Sequence, residues 1–326
     1  MNDKKRLRVK KYQESLRPKK VVISKAKPVL TQIISEELED KMFFLLKKIG
    51  LTPNKLMGQN FCLSEKLLEQ MVALAEVKAS DKVLEVGPGL GFLTQTLLNT
   101  GANVTAVEAD QQLIKLLEPL AIVQKNLNLL FGDILKIEIE RLNLPVHQYK
   151  LVANLPYSIS APFFRRFLTT PELQPETITV LIQKEVAQRI CATPKKGMSI
   201  LAISVQAYAT PEIKSLVPPA VFYPVPKVWS AILQLTEIGD FKFKKEVSEK
   251  AFFGLVKAGF SSKRKTLANN LTAWYGASGA KKQEIVKFKD DLAKKLISLG
   301  LIESVRAENL SLEQWKDLVL WVKKLS

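Results

Sequence analysis

The sequence predicts an α/β domain with a parallel sheet, followed by a small domain made of helices. Two observations carry this prediction. Short apolar runs alternate with helical patterns through the middle of the chain, which is typical of βαβ units with a parallel sheet covered on both faces. After Gly239 the pattern changes to Lys- and Leu-rich residues at helical spacing. With 326 residues, the chain is long enough for two folded units.

The chain begins with a basic segment that has no apolar periodicity. Residues 1–28 are therefore predicted to be a flexible basic arm, with an organelle transit peptide as the alternative interpretation. Residues 30–50 have helical spacing and end in glycine, which predicts a helix. The predicted division of the chain is an arm and helix at 1–50, an α/β domain at 51–239 and a helical domain at 240–326.

The α/β domain is predicted from strands and helices that alternate in order. The predicted strands are Lys82–Val86, Asn103–Glu108, Leu127–Phe131, 150–153 and 176–182, followed by two strands around a Pro-rich turn within 211–236. Helices are predicted between the first strands, at Phe92–Leu98 and 111–117.

The charge of the chain is concentrated at its two ends. The formal net charge is +17. Residues 1–30 carry a net charge of +9, residues 31–240 a net charge of −1, and residues 241–326 again +9. A protein that acts on small metabolites has no need of this arrangement, whereas a protein that holds a polyanion does. The alternative is that the Lys-rich ends serve solubility alone.

Several classes of protein are disfavoured by composition. No apolar stretch approaches the ~20 residues of a membrane span, and residues 1–20 contain no apolar core of a secretory signal. Two distant cysteines, Cys62 and Cys191, argue against a disulfide framework and a Cys-based zinc site. A single histidine, His147, excludes a zinc centre with several His ligands. We therefore expect a cytoplasmic protein that uses neither a metal nor a membrane.

A glycine-rich turn marks the first candidate site. In residues 83–91 (VLEVGPGLG), Gly87 and Gly89 stand at a strand-to-helix turn, where the backbone approaches a ligand without an intervening Cβ. Glu108 lies 21 residues beyond Gly87, where a carboxylate can accept both hydroxyls of a ribose. Asp133 follows the third strand and is either a contact for an adenine amine or a helix N-cap. A glycine-rich turn alone also fits nicotinamide or flavin enzymes, or a βα turn with no ligand.

The second candidate site is Asn154-Leu155-Pro156-Tyr157, directly after a strand and therefore at the sheet edge where α/β folds bind ligands. These residue types suit N-methylation of a nucleobase. The Asn154 side-chain oxygen and the Leu155 carbonyl could accept both hydrogens of an exocyclic amine, with Pro156 fixing the backbone. Tyr157 would stack on the extruded base. The alternative is a turn that ends a buried strand.

These motifs, in this order, resemble those of the ribosomal RNA adenine dimethyltransferases, which modify two adjacent adenosines near the 3′ end of small-subunit rRNA. The resemblance runs from about residue 55 to the C-terminus and implies a Rossmann-like, S-adenosylmethionine-dependent methyltransferase sheet with a small all-helical C-terminal domain. It also includes the segments GQNF (58–61), QKEV (183–186), FYPVPKVWS (222–230), KRKTL (263–267), NL (270–271) and RAE (306–308).

The resemblance also implies roles for individual residues. The cofactor-binding positions of the family correspond to Asn60, Cys62, Gly87, Glu108, Asp133 and Asn154. The helical domain of the family contacts RNA, so phosphate contacts are expected from Lys263, Arg264 and Lys265. Phe222 packs either near the target base or in the core. Two residues depart from the family pattern: Cys62 replaces the usual leucine, and Trp229 replaces a usual acidic residue.

The expected function is thus dimethylation of small-subunit rRNA within a pre-ribosomal particle, by a monomer that uses S-adenosylmethionine. Three alternatives stay open at this point. One is a large-subunit rRNA adenine methylase that confers antibiotic resistance. Another is a non-catalytic RNA- or DNA-binding factor for assembly or transcription on the same fold. A small-molecule methyltransferase would leave the two basic ends unexplained.

Overall fold

The computed structural model of the chain describes residues 35–53 and 59–325. These residues form two compact units: the first extends to residue 187 and includes 212–238, and the second contains 188–211 and the residues from 239 onward. The predicted basic arm and Gly58 lie outside the described residues.

The first unit is built on a seven-stranded sheet with a two-stranded ribbon beside it. The sheet consists of β2 (Lys82–Val86), β3 (Asn103–Glu108), β4 (Leu127–Phe131), β5 (Lys150–Asn154), β6 (Thr177–Gln183), β7 (Thr210–Val217) and β9 (Ser230–Thr236), and the ribbon of β1 (Phe61–Cys62) and β8 (Phe222–Tyr223). The strand order in the sheet is β4-β3-β2-β5-β6-β9-β7. The pairings that link β4 to β6 are all parallel, and β9 runs antiparallel to β6. The α/β fold predicted from the sequence is confirmed.

Strand β2 is the point at which the order of the sheet reverses. It pairs in parallel with β3 on one side, where Val83 faces Val104, and with β5 on the other, where Val83 faces Lys150. The loops that follow β2 and β5 therefore leave the same edge of the sheet in opposite directions. In open α/β sheets this divergence leaves a crevice at the carboxyl ends of the strands.

The helices of the first unit follow the predicted alternation. They are α1 (Glu36–Ile49), α2 (Glu65–Leu74), α3 (Phe92–Leu98), α4 (Gln111–Val123), α5 (Ile139–Leu142), α6 (Ser160–Thr169) and the start of α7 (Lys184–Ile190). Helix α4 continues through Pro119 to Val123, past its predicted end at residue 117. Apolar residues from α1, α2, α3 and α4 and from the central strands form one core.

Helix α1 shows how the sequence sets both ends of an element. The Ser35 hydroxyl accepts a hydrogen bond from the backbone N–H of Leu38, which caps the helix, and Gly50 ends it in the left-handed region at φ +64°. Leu38, Met42 and Leu46 are spaced four residues apart, lie on one face and are buried in the core. The helix therefore starts at Glu36, directly after its cap Ser35, within the predicted range of 30–50.

The second unit is helical and includes a segment that we expected in the α/β domain. Its helices are α8 (Ile200–Gln206), α9 (Glu249–Gly259), α10 (Leu267–Gly276), α11 (Lys282–Ser298) and α12 (Leu312–Lys323). The excursion between β6 and β7 joins it through backbone contacts, because the Met198 N–H donates to the Glu308 carbonyl at 2.7 Å. Residues 188–211 therefore group with the C-terminal helices, which differs from the expected boundary at residue 239.

Candidate active site

A cavity of about 320 Å³ lies at the carboxyl edge of the sheet, at the reversal of strand order. It is lined by the loops that follow β2, β3, β4 and β5 and by the segment around β1. Its volume falls in the range of small-molecule sites. The cavity gathers Asn60, Cys62, Gly87, Gly89, Glu108, Asp133, Asn154, Leu155, Pro156 and Tyr157. The sheet thus brings together the two candidate sites predicted from the sequence. We call them the glycine-rich loop (residues 87–91) and the reaction loop (residues 154–157).

The glycine-rich loop needs glycine for both conformation and space. Gly87 and Gly89 have φ angles of +67° and +60°, in the left-handed region that L-residues rarely adopt. A Cβ on Gly89 would lie 3.2 Å from the ring of Phe61, and a Cβ on Gly87 would lie 3.7 Å from the ring of Pro156. Because Phe61 and Pro156 line the same cavity, the loop passes closely between the β1 segment and the reaction loop.

We expect Gly89→Ala to weaken cofactor binding about tenfold or more. The left-handed conformation costs an L-residue roughly 1–2 kcal/mol, and the new methyl group would press on the buried ring of Phe61. Titration calorimetry with S-adenosylmethionine measures the change. Gly254→Ala is the matched control, since a Cβ there meets nothing within 4 Å. An unchanged dissociation constant for Gly89→Ala would contradict a close approach of this loop to the donor.

Glu108 lies at the end of β3, and backbone N–H groups surround its carboxylate. Oε2 accepts from Gly89 N–H at 3.1 Å, and Oε1 accepts from the N–H groups of Ala109 and Asp110 at 2.9 and 3.0 Å. Burial raises the pKa of Glu108, and these hydrogen bonds act in the opposite direction. A carboxylate accepts about four hydrogen bonds, so Glu108 can accept a ribose hydroxyl in addition to these three N–H groups. The contact to both ribose hydroxyls stays a prediction.

Asp133 follows β4 in a turn that also lines the cavity. Its Oδ1 accepts from the backbone N–H of Leu135 at 2.9 Å, and Lys136 lies 3.7 Å from Oδ2. No helix begins at this turn; α5 starts at Ile139. The helix N-cap that the sequence left open is therefore not its role here. Asp133 remains the candidate contact for an adenine amine.

Asn154 is the last residue of β5, and its orientation is fixed by a distant part of the chain. Its Nδ2 donates to the backbone carbonyl of Asn60 at 2.9 Å, across 94 residues of sequence. Because the amide nitrogen is used in this way, Oδ1 is left as the acceptor, and no described residue donates to it. The bond turns Asn154 into an oriented acceptor at the wall of the cavity.

The other residues of the reaction loop are also fixed by hydrogen bonds or by backbone conformation. The Leu155 N–H donates to the Leu181 carbonyl of β6 at 3.1 Å, and Pro156 has φ −55° and ψ 131°. The Tyr157 hydroxyl lies 2.8 Å from the hydroxyl of Ser230, a fully buried residue at the start of β9. Burial raises the pKa of Tyr157, so its hydroxyl stays neutral. The ring is thereby fixed where a base could stack on it.

Glu85 stands directly before the glycine-rich loop, and no role was predicted for it from the sequence. Its side chain is 1% exposed, it lines the cavity, and its Oε2 receives no hydrogen bond from the described residues. Burial raises the pKa of Glu85 to about 8, the Thr94 hydroxyl acts in the opposite direction, and the charge of Glu108 raises it further. An acidic residue two positions before the first glycine was the signal that could have identified it.

Four other predicted residues lie outside the cavity lining. Phe222 is 1% exposed and belongs to the core, where β8 pairs with β1. This placement favours the core role that the sequence left open. Lys263, Arg264 and Lys265 lie in the second unit, in the exposed loop before α10. Within residues 35–53 and 59–325, none of these three cations forms an ion pair.

Cys62, which departs from the family pattern, lines the wall of the cavity. Its side chain is buried, and its thiol donates to the carbonyl of Ser64 at 3.8 Å. Burial raises the pKa of Cys62 to about 12. The thiol is therefore neutral and serves as a small apolar group beside the cavity.

Membrane spans and metal sites were both disfavoured by composition. In the part of the chain that the structure describes, none of the helices is both long enough and apolar enough to cross a bilayer. Within the same residues, no cluster of three or more His, Cys, Asp or Glu side chains is placed to hold a metal ion.

Comparison with known proteins identifies relatives over most of the chain. The profile of the family described as "Ribosomal RNA adenine dimethylase" matches residues 50–323. A protein of Dehalococcoides mccartyi named ribosomal RNA small subunit methyltransferase A is 41% identical over 280 residues, which cover 85% of this chain and 90% of that protein.

Solved structures agree with this match. The crystal structure of a dimethyladenosine transferase from Plasmodium falciparum superposes with a TM-score of 0.63 and 26% identity, over 79% of this chain and 96% of that one. The crystal structure of the 23S rRNA methyltransferase ErmE superposes with a TM-score of 0.60 over 79% of this chain and 98% of that one. At 24% identity, the second likeness shows the fold alone.

Proposed function

The chain belongs to the ribosomal RNA adenine dimethylase family, and from this premise we propose that it dimethylates the N6 amines of two adjacent adenosines near the 3′ end of small-subunit rRNA. The methyl donor is S-adenosylmethionine. The observation that carries the choice of small-subunit rRNA is the 41% identity to a small-subunit methyltransferase over 85% of the chain. The likeness to the 23S rRNA methyltransferase is limited to the fold.

The residues of the cavity fit the donor. Support comes from the glycine-rich loop, which offers a close backbone approach, and from two carboxylates that line the same cavity. Glu108 would accept from the ribose, and Asp133 would accept from the adenine amine. Oε2 of the buried Glu85 carboxyl has no hydrogen-bond partner among the described residues. A ligand with several polar hydrogen-bonding groups would satisfy it. When bound, S-adenosylmethionine supplies a methyl group activated by its sulfonium.

The reaction loop acts on the target amine. The lone pair of an exocyclic amine is delocalised into the purine ring, so the nitrogen is a weak nucleophile. Asn154 Oδ1 and the Leu155 carbonyl accept the two amine hydrogens, which holds the nitrogen and lets its lone pair localise. Tyr157 stacks on the extruded base, a contact worth ~1–3 kcal/mol. Catalysis is then mainly orientation of the two reactants.

The assignment is tested by mass spectrometry of rRNA before and after incubation with the protein and S-adenosylmethionine. Immature small subunits and large subunits are supplied in separate reactions. We expect two dimethylated adenosines near the 3′ end of the small-subunit rRNA and no modification of the large-subunit rRNA. Methylation of the large-subunit rRNA would identify the antibiotic-resistance alternative. Binding without methylation of either substrate would identify a non-catalytic factor.

The chain's partner is ribosomal RNA, and its finer context is part of the proposal. We propose that the protein acts as a monomer in the cytoplasm, on rRNA within a pre-ribosomal particle, and that Lys263, Arg264 and Lys265 contact phosphate groups. Support comes from the net charge of +9 in residues 241–326 and from the exposure of these three cations without ion pairs among the described residues.

Replacing these three residues together by Gln should lower the salt dependence of RNA binding. Each lost phosphate contact removes about 0.7–0.9 from the slope of log K against log salt concentration, so the slope should fall by about 2. Filter binding of rRNA at four salt concentrations measures it. The control is Lys47→Gln with Lys48→Gln, two exposed cations of α1. An unaltered slope in the triple variant would show that this loop does not touch phosphate.

A further inference from the structure

Arg166 uses its guanidinium to hold the loop that follows β4. It lies on α6, the helix that begins just after the reaction loop. Its Nη1 donates to the Leu135 carbonyl at 2.6 Å, and its Nη2 donates to the Ile137 carbonyl. The two carbonyls belong to residues two positions apart, and the planar fork of an arginine reaches both at once.

The loop held in this way is the one that carries Asp133. Its residues Gly132, Asp133 and Ile134 line the cavity. Leu135 connects the two side chains directly, because its N–H donates to Asp133 Oδ1 at 2.9 Å while its carbonyl accepts from Arg166. The other end of the loop is tied to the sheet by the Gly132 N–H, which donates to the Glu108 carbonyl at 2.9 Å.

The surroundings of Arg166 indicate that its guanidinium interacts mainly with this loop. The side chain is half-buried and forms no ion pair within residues 35–53 and 59–325. Its Nε is buried without a hydrogen-bond partner there. A partly desolvated guanidinium with no carboxylate beside it is costly. Its two bonds to carbonyls of the loop are the interactions that offset this cost.

We propose that Arg166 is a positioning residue for Asp133. It thereby sets how strongly the cofactor site prefers a donor that carries adenine over an analogue whose purine lacks the 6-amino group. Without the two hydrogen bonds from Arg166, the turn at 132–137 is less firmly held. The Asp133 carboxylate then no longer meets the amine at a fixed place. This inference rests on the proposed contact between Asp133 and the adenine amine. Arg165, the exposed neighbour on the same helix, has no such role.

The test compares two ligands that cannot be turned over. One is S-adenosylhomocysteine, and the other is its analogue in which hydrogen replaces the 6-amino group. For each protein, calorimetry gives the dissociation constant of the analogue divided by that of S-adenosylhomocysteine, which we call the ratio. We expect a ratio of at least tenfold for the wild type and for Arg165→Met, about onefold for Asp133→Ala, and threefold or less for Arg166→Met. On the Asp133→Ala background, Arg166→Met should not change the ratio further.

If Arg166 had a purely structural role, its replacement would weaken the binding of both ligands equally. The ratio would then keep its wild-type value, which would overturn the inference. Arg166→Lys, which keeps the charge and the aliphatic stem, guards against a folding defect. A point-like ammonium cannot bridge both carbonyls as the fork does, so its ratio should also fall. If the wild type itself shows no preference, the assignment of Asp133 fails and the inference fails with it. Methylation of rRNA in the same preparation would then still support the proposed function.

Discussion

Asn154→Ala is expected to lower the turnover number for methyl transfer by about a thousandfold, while the dissociation constant of S-adenosylmethionine rises tenfold at most. The side-chain oxygen is one of the two acceptors proposed for the amine hydrogens, and its loss leaves the lone pair delocalised and the amine unheld. Removing one oriented hydrogen-bonding group from an active site commonly costs about 10²–10³ in turnover. The added loss of orientation places the effect at the upper end of that range.

Single-turnover transfer of labelled methyl groups to small subunits measures the effect, and calorimetry measures the affinity for the donor. Asn128→Ala, an exposed asparagine of β4 in the same sheet, is the matched control and should keep full turnover. Asn154→Asp is informative as well, because it keeps the acceptor but loses the N–H that is tied to the Asn60 carbonyl. Turnover within threefold of the wild type in Asn154→Ala would rule out the proposed mechanism.

Glu85→Gln is expected to remove a large pH dependence of stability from the ligand-free protein. Burial raises the pKa of Glu85 from 4.5 to about 8 in the folded protein. The protonated carboxyl therefore contributes stability that is fully present below pH 4.5 and is lost as the pH rises through 8. A pKa that differs by 1 between the folded and unfolded states corresponds to about 1.4 kcal/mol. Since the two values are 4.5 and about 8, the wild type should lose on the order of 5 kcal/mol of stability across this window.

The free energy of unfolding of both proteins, from denaturant titrations at pH 5.5, 7.0 and 8.5, measures this effect. Other groups titrate in both proteins, so the difference between the two isolates Glu85. The free energy of unfolding of the variant should increase relative to that of the wild type as the pH rises, since glutamine keeps the shape of the side chain and cannot ionise. A difference that stays constant across the three pH values would mean that the Glu85 carboxyl does not titrate in this window.

Residues close together in the chain specified much of the site by themselves. The glycine-rich loop and the reaction loop each follow directly from a strand, so strand, turn and ligand-facing residues can all be recognised within about ten positions. The predicted strand 150–153 is found as Lys150–Asn154, and helix Phe92–Leu98 has its predicted bounds. Local hydrophobic periodicity and turn residues determine such features, because they depend only on near neighbours.

The contacts that orient the site could not be predicted from local sequence patterns. The bond from Asn154 to Asn60 spans 94 residues, that from Tyr157 to Ser230 spans 73, and that from Arg166 to Leu135 spans 31. The burial of Phe222 depends in the same way on the pairing of β8 with β1. The same residue types also occur exposed and without partners, so the residue type alone does not predict these contacts.

The sequence by itself therefore determined the fold class, the glycine-rich loop, the reaction loop and the two basic ends, since each depends on residues that are consecutive in the chain. Only the tertiary structure decided that the Asn154 amide donates through its nitrogen and leaves its oxygen to accept, which backbone N–H groups donate to Glu108, and that residues 188–211 join the helical unit. The physical reason is the order of the sheet. Placing β2 between β3 and β5 brings four distant loops to one edge, and their mutual hydrogen bonds exist only once that order has formed.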